Sequence, residues 1–363
     1  MNFNFVGYLR PIKDTDDRKS FEVRHNDSGW MSERIRFRIV AGDNTHFVEA
    51  NGGRWEQENK NIIYTYEKVE GNNKGNPVQI PWSKRNDPSV VDKIVGWRVL
   101  TVDTDTYQHR KELEDAGDDA GLEASNKKRK HFIANTDFVE YVNKLVNSDK
   151  IADWKFRVTG NVNYSYSAKN DRYYSTYEVT KIYRVDDSTP ATSEVDVDFF
   201  FSEGAIDSSA FEETQKAIIN GYTTFYDSST KKNWFAPITL VARDKIKAWE
   251  KIFNKCEDES VRKIGLVCQN INGAQRQNIR LEDLDEETQE NVALGLISEQ
   301  DAIHDAGGQM FGDRVQELRI ESLGRGYSKG SEETVYTVED LTKKPMMAQD
   351  VVEDIFSDDE DDL

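Results

Sequence analysis

Three arginines alternate with large apolar residues in the segment Arg34-Ile-Arg-Phe-Arg-Ile39. Successive side chains of a β-strand point to opposite faces, so the arginines share one face and the apolar residues point into a core. Neighbouring guanidiniums repel one another on a bare surface, but opposite a phosphate backbone each one displaces a condensed counterion. The chemistry that this spacing predicts is phosphate binding by Arg34, Arg36 and Arg38.

A second segment, residues 154–185, interleaves tyrosines with cations. Stacking of a base on an aromatic ring contributes about 1 to 3 kcal/mol, while lysine and arginine follow the sugar-phosphate backbone. The further candidate nucleic-acid-binding residues are Lys155, Arg157, Tyr164, Tyr166, Arg172, Tyr173, Tyr174, Tyr177, Lys181, Tyr183 and Arg184. A half-buried sheet with outward tyrosines needs no ligand, however, and the alternation between Tyr173 and Val185 leaves open which rings are exposed.

Motifs for catalysis are absent from the sequence. It contains no phosphate-binding Gly-rich loop, no HExxH, no GxSxG and no CxxC. The five histidines lack metal-ligand spacing and are expected at the surface or in turns, and the two cysteines complete no zinc site. We therefore expect no enzyme, no metal and no cofactor, although a two-metal nuclease site built from distant carboxylates stays open as an alternative.

The length of 363 residues predicts two domains and a tail. The formal net charge is -19, and removing the eight acids of the last fourteen residues still leaves -11 for the rest of the chain. A nucleic-acid site must then be a local basic strip on a surface that otherwise repels polyanions. Without a signal peptide or a run of about twenty apolar residues, the expected location is the cytoplasm, with no membrane partner.

Short alternating segments separated by turn residues position these side chains. Strands are predicted at 3–9, 21–25, 31–40, 46–50, 62–68 and 96–102, with Asn51-Gly-Gly53 as a turn, and residues 107–131 as a mobile excursion. From Trp154 the pattern is three strands, a helix that a capping box at Ser209 opens and Gly221 can close, and two strands. An OB barrel requires this order, which many other small β folds share.

The predicted fold class is mainly β with some α, with one or more OB-fold-like antiparallel barrels and a disordered acidic C-terminal tail. The predicted domains are an N-terminal β domain at 1–106, a charged excursion and helix at 107–150, an OB-like domain with a helical and β extension at 151–322, and a linker and tail at 323–363.

The last fourteen residues, Asp350 to Leu363, form an acidic string with a few apolar side chains. Its charges repel, and four large apolar residues before the end bury too little surface to fold alone. The i,i+4 spacing of Val351 with Ile355 and of Val352 with Phe356 offers a short amphipathic peptide to a partner or to the basic surface of the same chain. A tail that only improves solubility is the alternative.

The tail Ser357-Asp-Asp-Glu-Asp-Asp-Leu363, together with Trp154 to Gly160 and Tyr183 to Val185, resembles the single-stranded-DNA-binding proteins of bacteria and phages, including those of T7-like phages. The resemblance implies sequence-tolerant single-stranded-DNA binding in phage DNA replication and recombination, in the host cytoplasm. It also implies that the tail recruits a polymerase, helicase or recombinase through Asp358, Asp359, Glu360, Asp361, Asp362 and Leu363, and competes with DNA for the groove. The alternative from another class is a virion structural or assembly adaptor protein without nucleic-acid binding.

Overall fold

The structure is a computed structural model that describes residues 1–15, 19–227, 229–256, 259–278, 281, 284–298, 301–302 and 309–345. The acidic C-terminal tail, and with it the expectation that it is disordered, lies outside the described residues.

Strands dominate the described part of the chain. They are β1 (Asn2–Pro11), β2 (Phe21–His25), β3 (Trp30–Ala41), β4 (Asn44–Trp55), β5 (Ile62–Val69), β6 (Asn72–Pro81), β7 (Leu100–Asp103), β8 (Arg129–Phe132), β9 (Lys155–Ser167), β10 (Arg172–Arg184), β11 (Thr192–Phe201), β12 (Ile206–Asp207), β13 (Ala217–Asp227), β14 (Lys232–Ala242), β15 (Ser260–Asn278), β16 (Gln309–Leu323) and β17 (Glu332–Thr337).

The helices are α1 (Pro88–Val91), α2 (Tyr107–Asp115), α3 (Asp119–Asn126), α4 (Asn135–Val146), α5 (Phe211–Thr214), α6 (Ile246–Phe253), α7 (Glu286–Ala293) and α8 (Val338–Thr342). Short 3₁₀ turns occur at Glu58–Lys60, Trp82–Lys84, Asp149–Ile151 and Ala168–Asn170. None of the helices among the described residues is long and apolar enough to cross a bilayer.

Five strands close into a first barrel in the order β1-β3-β4-β10-β9, with β9 returning to β1. The pairing of β4 with β10 is parallel and the other pairings are antiparallel. Alternation builds this wall, since Ile35, Phe37 and Ile39 are fully buried while the residues between them face outward. Helix α4 precedes β9 and packs its apolar face against β3 and β4.

A second barrel repeats this topology in the order β11-β13-β14-β16-β15, with β15 returning to β11. Its parallel pair is β14 with β16, and α6 lies between β14 and β15 in the chain. In both barrels the strands follow the order 1-2-3-5-4-1 with the helix between the third and fourth strands, which is the OB fold. The predicted mainly β class with OB-like barrels is confirmed.

The strand assignment within the barrels differs from the sequence-based one. Strands β9 and β10 were predicted to begin the OB unit, but they pair with β1 and β4 and close the first barrel. The helix predicted from the capping box at Ser209 to Gly221 is also wrong. Helix α5 has only four residues and ends at Thr214, and Gly221 lies inside β13. From these pairings we propose a domain boundary in the loop between Arg184 and Thr192.

The barrels share one sheet, because β1 pairs with β11 between Asn2↔Asp196 and Val6↔Thr192. A continuous core runs through both, with Phe5, Phe156 and Phe199 among its fully buried side chains. The relative placement of the barrels is therefore set by backbone hydrogen bonds and by shared apolar burial.

Residues 56–134 form an insertion between β4 and α4. The hairpin β5–β6 and helix α1 enclose a small apolar cluster of Ile80, Val91, Ile94, Val99 and Ile133. The predicted mobile excursion at 107–131 instead contains α2, α3 and β8.

Two buried carboxylates anchor this part of the insertion. Asp103 accepts hydrogen bonds of 2.8 and 2.7 Å from Arg110 and one of 2.8 Å from Arg129. Burial acts to raise the pKa of Asp103, but these hydrogen bonds outweigh it and hold the pKa below its ordinary value. Asp105 accepts hydrogen bonds from Ser125 and Lys128, which likewise lower the pKa of its carboxyl group against the effect of burial. Both buried carboxylates therefore have hydrogen-bond partners, which stabilises a segment that carries many charges.

The C-terminal described segment crosses the second barrel. Strand β17 pairs with β15, and Leu341 of α8 is buried against Phe200, Phe235 and Val261. Beyond α8, Lys344 Nζ lies 2.6 Å from Asp171 Oδ1, in the turn between β9 and β10. The chain therefore reaches back to the first barrel before the described residues end.

Candidate nucleic-acid interface

The outer surface of β1, β2 and β3 carries five arginines. Register places Arg10 of β1 opposite Arg38, and β2 places Glu22 opposite Arg34. We call this surface the arginine face; its members are Arg10, Arg24, Arg34, Arg36 and Arg38. The three arginines predicted from β3 thus lie together, and the neighbouring strands add two more.

The carboxylate of Glu22 forms ion pairs with three of these guanidiniums. It pairs with Arg34, with Arg24 at 3.2 Å and with Arg36 at 3.4 Å. The hydrogen bond from Arg34 is the main reason that the pKa of Glu22 lies below its ordinary value. Arg38 donates instead to the carbonyl oxygen of Pro11. The face therefore keeps an excess of positive charge, although Arg24, Arg34 and Arg36 share Glu22 and Glu49 of β4 lies opposite Arg36.

The candidates on β9 and β10 divide between the two faces of the hairpin. Arg157 is exposed and forms no ion pair within the part of the chain that the structure describes, and Tyr183 lies directly opposite it. Lys181 lies opposite Thr159 on the same outer face. Burial raises the pKa of the half-buried Tyr183. Arg157, Lys181 and Tyr183 form an outward group on a different part of the barrel wall from the arginine face.

Two predicted tyrosines, Tyr164 and Tyr177, are partly buried and pack against the core. Burial raises the pKa of Tyr164 to about 12 and also raises that of Tyr177. The Tyr177 ring lies 5.5 Å from both Phe3 and Phe5, centroid to centroid. The expectation of one tyrosine strip open to solvent therefore does not describe Tyr164 and Tyr177, which are partly buried and pack against the core.

Two predicted cations hold the hairpin in place. Lys155 donates hydrogen bonds of 2.6 and 2.8 Å to the carbonyl oxygens of Asp187 and Thr189. The Arg184 guanidinium stacks over the Trp154 ring at 4.0 Å. Both side chains are engaged within the protein and fix the base of the hairpin.

The remaining candidates gather at the tip of the β9–β10 hairpin. Tyr166 and Tyr173 have ring centroids 5.0 Å apart, and the Tyr166 hydroxyl donates to Asp171. Tyr174 is 46% exposed, and Arg172 is exposed without an ion pair among the residues described. Ring and cation chemistry thus occurs at the tip, separate from the arginine face.

Other side chains at these surfaces were not singled out from the sequence. Phe47 is 47% exposed and lies opposite Arg38, as the alternation of His46, Val48 and Ala50 could have indicated. His46, expected at the surface, is buried in the core, where its ring stacks on Phe5 at 4.1 Å. Burial lowers the pKa of His46 to about 4.

The second barrel has its own group of cations around one carboxylate. Glu317 accepts from Arg319 at 2.6 Å and from Arg243 at 3.1 Å, and Lys216 lies 3.2 Å away. Burial acts to raise the pKa of Glu317, but these partners lower it to about 2. Glu317 and Arg319 are two residues apart on β16, but no local sequence pattern connects them with Lys216, just before β13, or with Arg243, just after β14.

Within the described residues no cluster of three or more His, Cys, Asp or Glu side chains could hold a metal ion. The tail residues predicted to bind partners, Asp358 to Leu363, lie outside the described residues.

No protein-family model and no curated protein sequence matches the chain. Among solved structures, the wild-type single-stranded DNA binding protein from Thermus aquaticus is similar at 7% identity and a TM-score of 0.34, over 96% of this chain and 95% of that one. A deletion mutant of that same Thermus aquaticus protein is similar at 7% identity and a TM-score of 0.34, over 89% of this chain and 93% of the mutant. A likeness at this level carries no argument, and the fold assignment above depends on the strand pairings alone.

Proposed function

We propose that this chain binds single-stranded DNA without strong sequence preference. The observation that carries the proposal is the arginine face, where five guanidiniums lie on adjacent strands of an OB barrel and three of them share the carboxylate of Glu22. Such a surface attracts a phosphate backbone, whereas most of this acidic protein repels it. Phosphate contacts hold any sequence equally, so the binding is sequence-tolerant.

The hairpin tip supplies a second contact. Tyr173, Tyr174 and Arg172 combine rings with a cation, which is the composition that stacks bases and follows the backbone. Arg157 and Lys181 lie outward on the same hairpin. We propose that these residues extend the interface beyond the arginine face.

The test is a fluorescence titration of the full chain with an oligo(dT) at several salt concentrations. We expect binding whose log affinity falls linearly with log salt, with a slope of several units. Absence of binding at low salt would instead favour a virion structural or assembly adaptor protein. Loss of the oligonucleotide only when a divalent metal is added would identify a nuclease.

We further propose that the acidic tail competes with DNA and recruits a polymerase, helicase or recombinase during phage replication or recombination. The tail begins six residues after Lys344, which is bound to the hairpin tip, so tethering raises the local concentration of the tail carboxylates there. Removal of residues 350–363 should tighten oligo(dT) binding most at low salt. Equal or weaker affinity of the truncated chain would exclude the competition.

A further inference from the structure

A groove of about 560 Å³ lies where the first barrel meets the insertion. It is bordered by the ends of β3 and β4, by the start of β5 and by the segment before α4. The lining residues that matter here are Trp30, Trp55, Lys60, Ile62, Tyr64 and Trp82. Four aromatic rings therefore border one groove, although their residues are widely separated in the sequence.

The barrel side of the groove is held rigidly. The rings of Trp30 and Trp55, which are directly opposite in register, meet edge to face with centroids 5.3 Å apart. Trp30 lies across Gly53, where a Cβ atom would be 2.3 Å from Trp30 Cζ2. The Asn61 side chain accepts from the backbone nitrogen of Trp55 and donates to its carbonyl oxygen. These contacts fix the two indoles before any ligand arrives.

The insertion side presents apolar side chains to solvent. Ile62 and Tyr64 share one face of β5 and are 45% and 67% exposed. An exposed tyrosine, an exposed isoleucine and two indoles around one depression form an apolar surface of the kind that marks a binding site.

The charge of the groove selects among ligands. Lys60 is the charged member of its lining, and its Nζ lies 5.7 Å from the Trp55 ring centroid. The groove continues into the arginine face, since Ser32 and Arg34 follow Trp30 on the outer side of β3. Arg34 lies about 14 Å from Trp30, at ~3.4 Å per residue along the strand. Flat apolar rings next to a row of cations suit a ligand that has both planar apolar groups and a polyanionic backbone.

We propose that this groove stacks the nucleobases of single-stranded DNA while the arginine face holds the adjoining phosphates. The inference deepens the proposed function and depends on it. The insertion thereby has a role of its own, because the barrel strands form only one side of the groove. The residues that the insertion supplies to the other side are Lys60, Ile62, Tyr64 and Trp82. A protein partner is the competing occupant, and the test separates the two.

The experiment compares two oligomers of equal length, oligo(dT) and an abasic deoxyribose-phosphate chain, against wild type and Tyr64→Ala at low salt. Tyr64 is too exposed for its replacement to unfold the protein. We expect Tyr64→Ala to weaken oligo(dT) binding about tenfold, within the range of one lost stack, and to change abasic binding less than about twofold. The salt slope should stay constant, because no cation is removed.

Tyr107→Ala is the matched control, since Tyr107 is 77% exposed on α2 and does not line the groove. It should bind both oligomers as wild type does. In addition, 5-iodouracil placed in the oligo(dT) should crosslink to peptides containing Trp30, Trp55 or Tyr64, which tests the indoles without replacing them.

The outcomes separate the groove from the function. If wild type binds oligo(dT) and Tyr64→Ala binds it equally well, the groove proposal is wrong and the function stands, with a protein as the better occupant. Equal losses for both oligomers would also overturn base stacking at this site. If wild type binds neither oligomer, both proposals are wrong.

Discussion

The Asn270 side-chain amide donates a hydrogen bond of 2.9 Å to the hydroxyl of Tyr177, so that a residue of the second barrel holds a ring that packs against the core of the first. Asn270 is buried and lies on β15, while Tyr177 lies on β10. Tyr177 is thereby a structural residue that joins the barrels.

Tyr177→Phe should destabilise the protein without changing DNA binding. The substitution leaves the buried Asn270 amide without its acceptor, which costs about 1 to 3 kcal/mol. Urea unfolding measures the loss, and oligo(dT) affinity in native buffer should stay within about twofold. Tyr226→Phe is the control, because the Tyr226 ring is exposed, and it should leave the urea concentration at the unfolding midpoint unchanged. A stable Tyr177→Phe protein with weak DNA binding would show that the phenol contacts the ligand.

Glu22→Gln should tighten DNA binding. The carboxylate neutralises part of the charge of Arg24, Arg34 and Arg36, so its removal leaves these cations to the phosphates. We expect several-fold higher affinity for oligo(dT) at low salt and a salt slope steeper by about 1. Glu70→Gln makes the same change of charge at an exposed turn and should have little effect. Equal behaviour of the two variants would exclude the arginine face as the DNA contact.

His46 should make stability depend on pH between about 4 and 6.5. Its pKa is about 4 when folded and 6.5 in the reference state, so in this interval the unfolded chain binds a proton that the folded protein does not. Stability from this group is complete above pH 6.5 and falls as the pH decreases, by on the order of 3 kcal/mol.

Thermal unfolding of wild type and His46→Gln across this interval measures the dependence. The variant should be less stable at neutral pH, because it disturbs the stacking on Phe5, but its decline between pH 6.5 and about 4 should be smaller. If the stability of the two proteins fell equally with decreasing pH, the loss of stability would belong to titratable groups other than His46.

Gly53→Ala should perturb the groove through Trp30. The added methyl would lie 2.3 Å from Trp30 Cζ2, so the indole must move, at a cost of about 1 to 3 kcal/mol. Tryptophan fluorescence and urea unfolding measure the change. Gly96→Ala is the control, because a Cβ there meets nothing within 4 Å. Unchanged fluorescence in Gly53→Ala would show that Trp30 does not lie over Gly53.

The strand alternation was predictable because it is local. The bounds of β2 and the burial of Ile35, Phe37 and Ile39 follow directly from the pattern around the arginines. Asn51-Gly-Gly53 was interpreted as a turn, yet it continues β4. Its glycines serve packing instead, since Gly52 lies against the backbone of Thr136 and Gly53 lies under Trp30.

The site was less predictable because its contacts are distant in sequence. The tyrosine parity on β10 changes at an irregularity between Val179 and Lys181, which no local pattern indicates. Glu22 reaches the arginines only through the pairing of β2 with β3, and Tyr64 reaches the indoles only through the fold of the insertion. Residue types therefore identified the candidate chemistry, and long-range pairing decided which side chains can take part in it.

Strand β1 belongs to both barrels through its pairings with β3, β9 and β11. Two OB units joined in this way cannot move independently as domains on a flexible linker do. Such a motion would break the main-chain hydrogen bonds between β1 and β11. A nucleic acid that contacted both units would have to follow the fixed contour of the protein. The number of nucleotides that one protein molecule covers should then be the same under all conditions in which the protein stays folded.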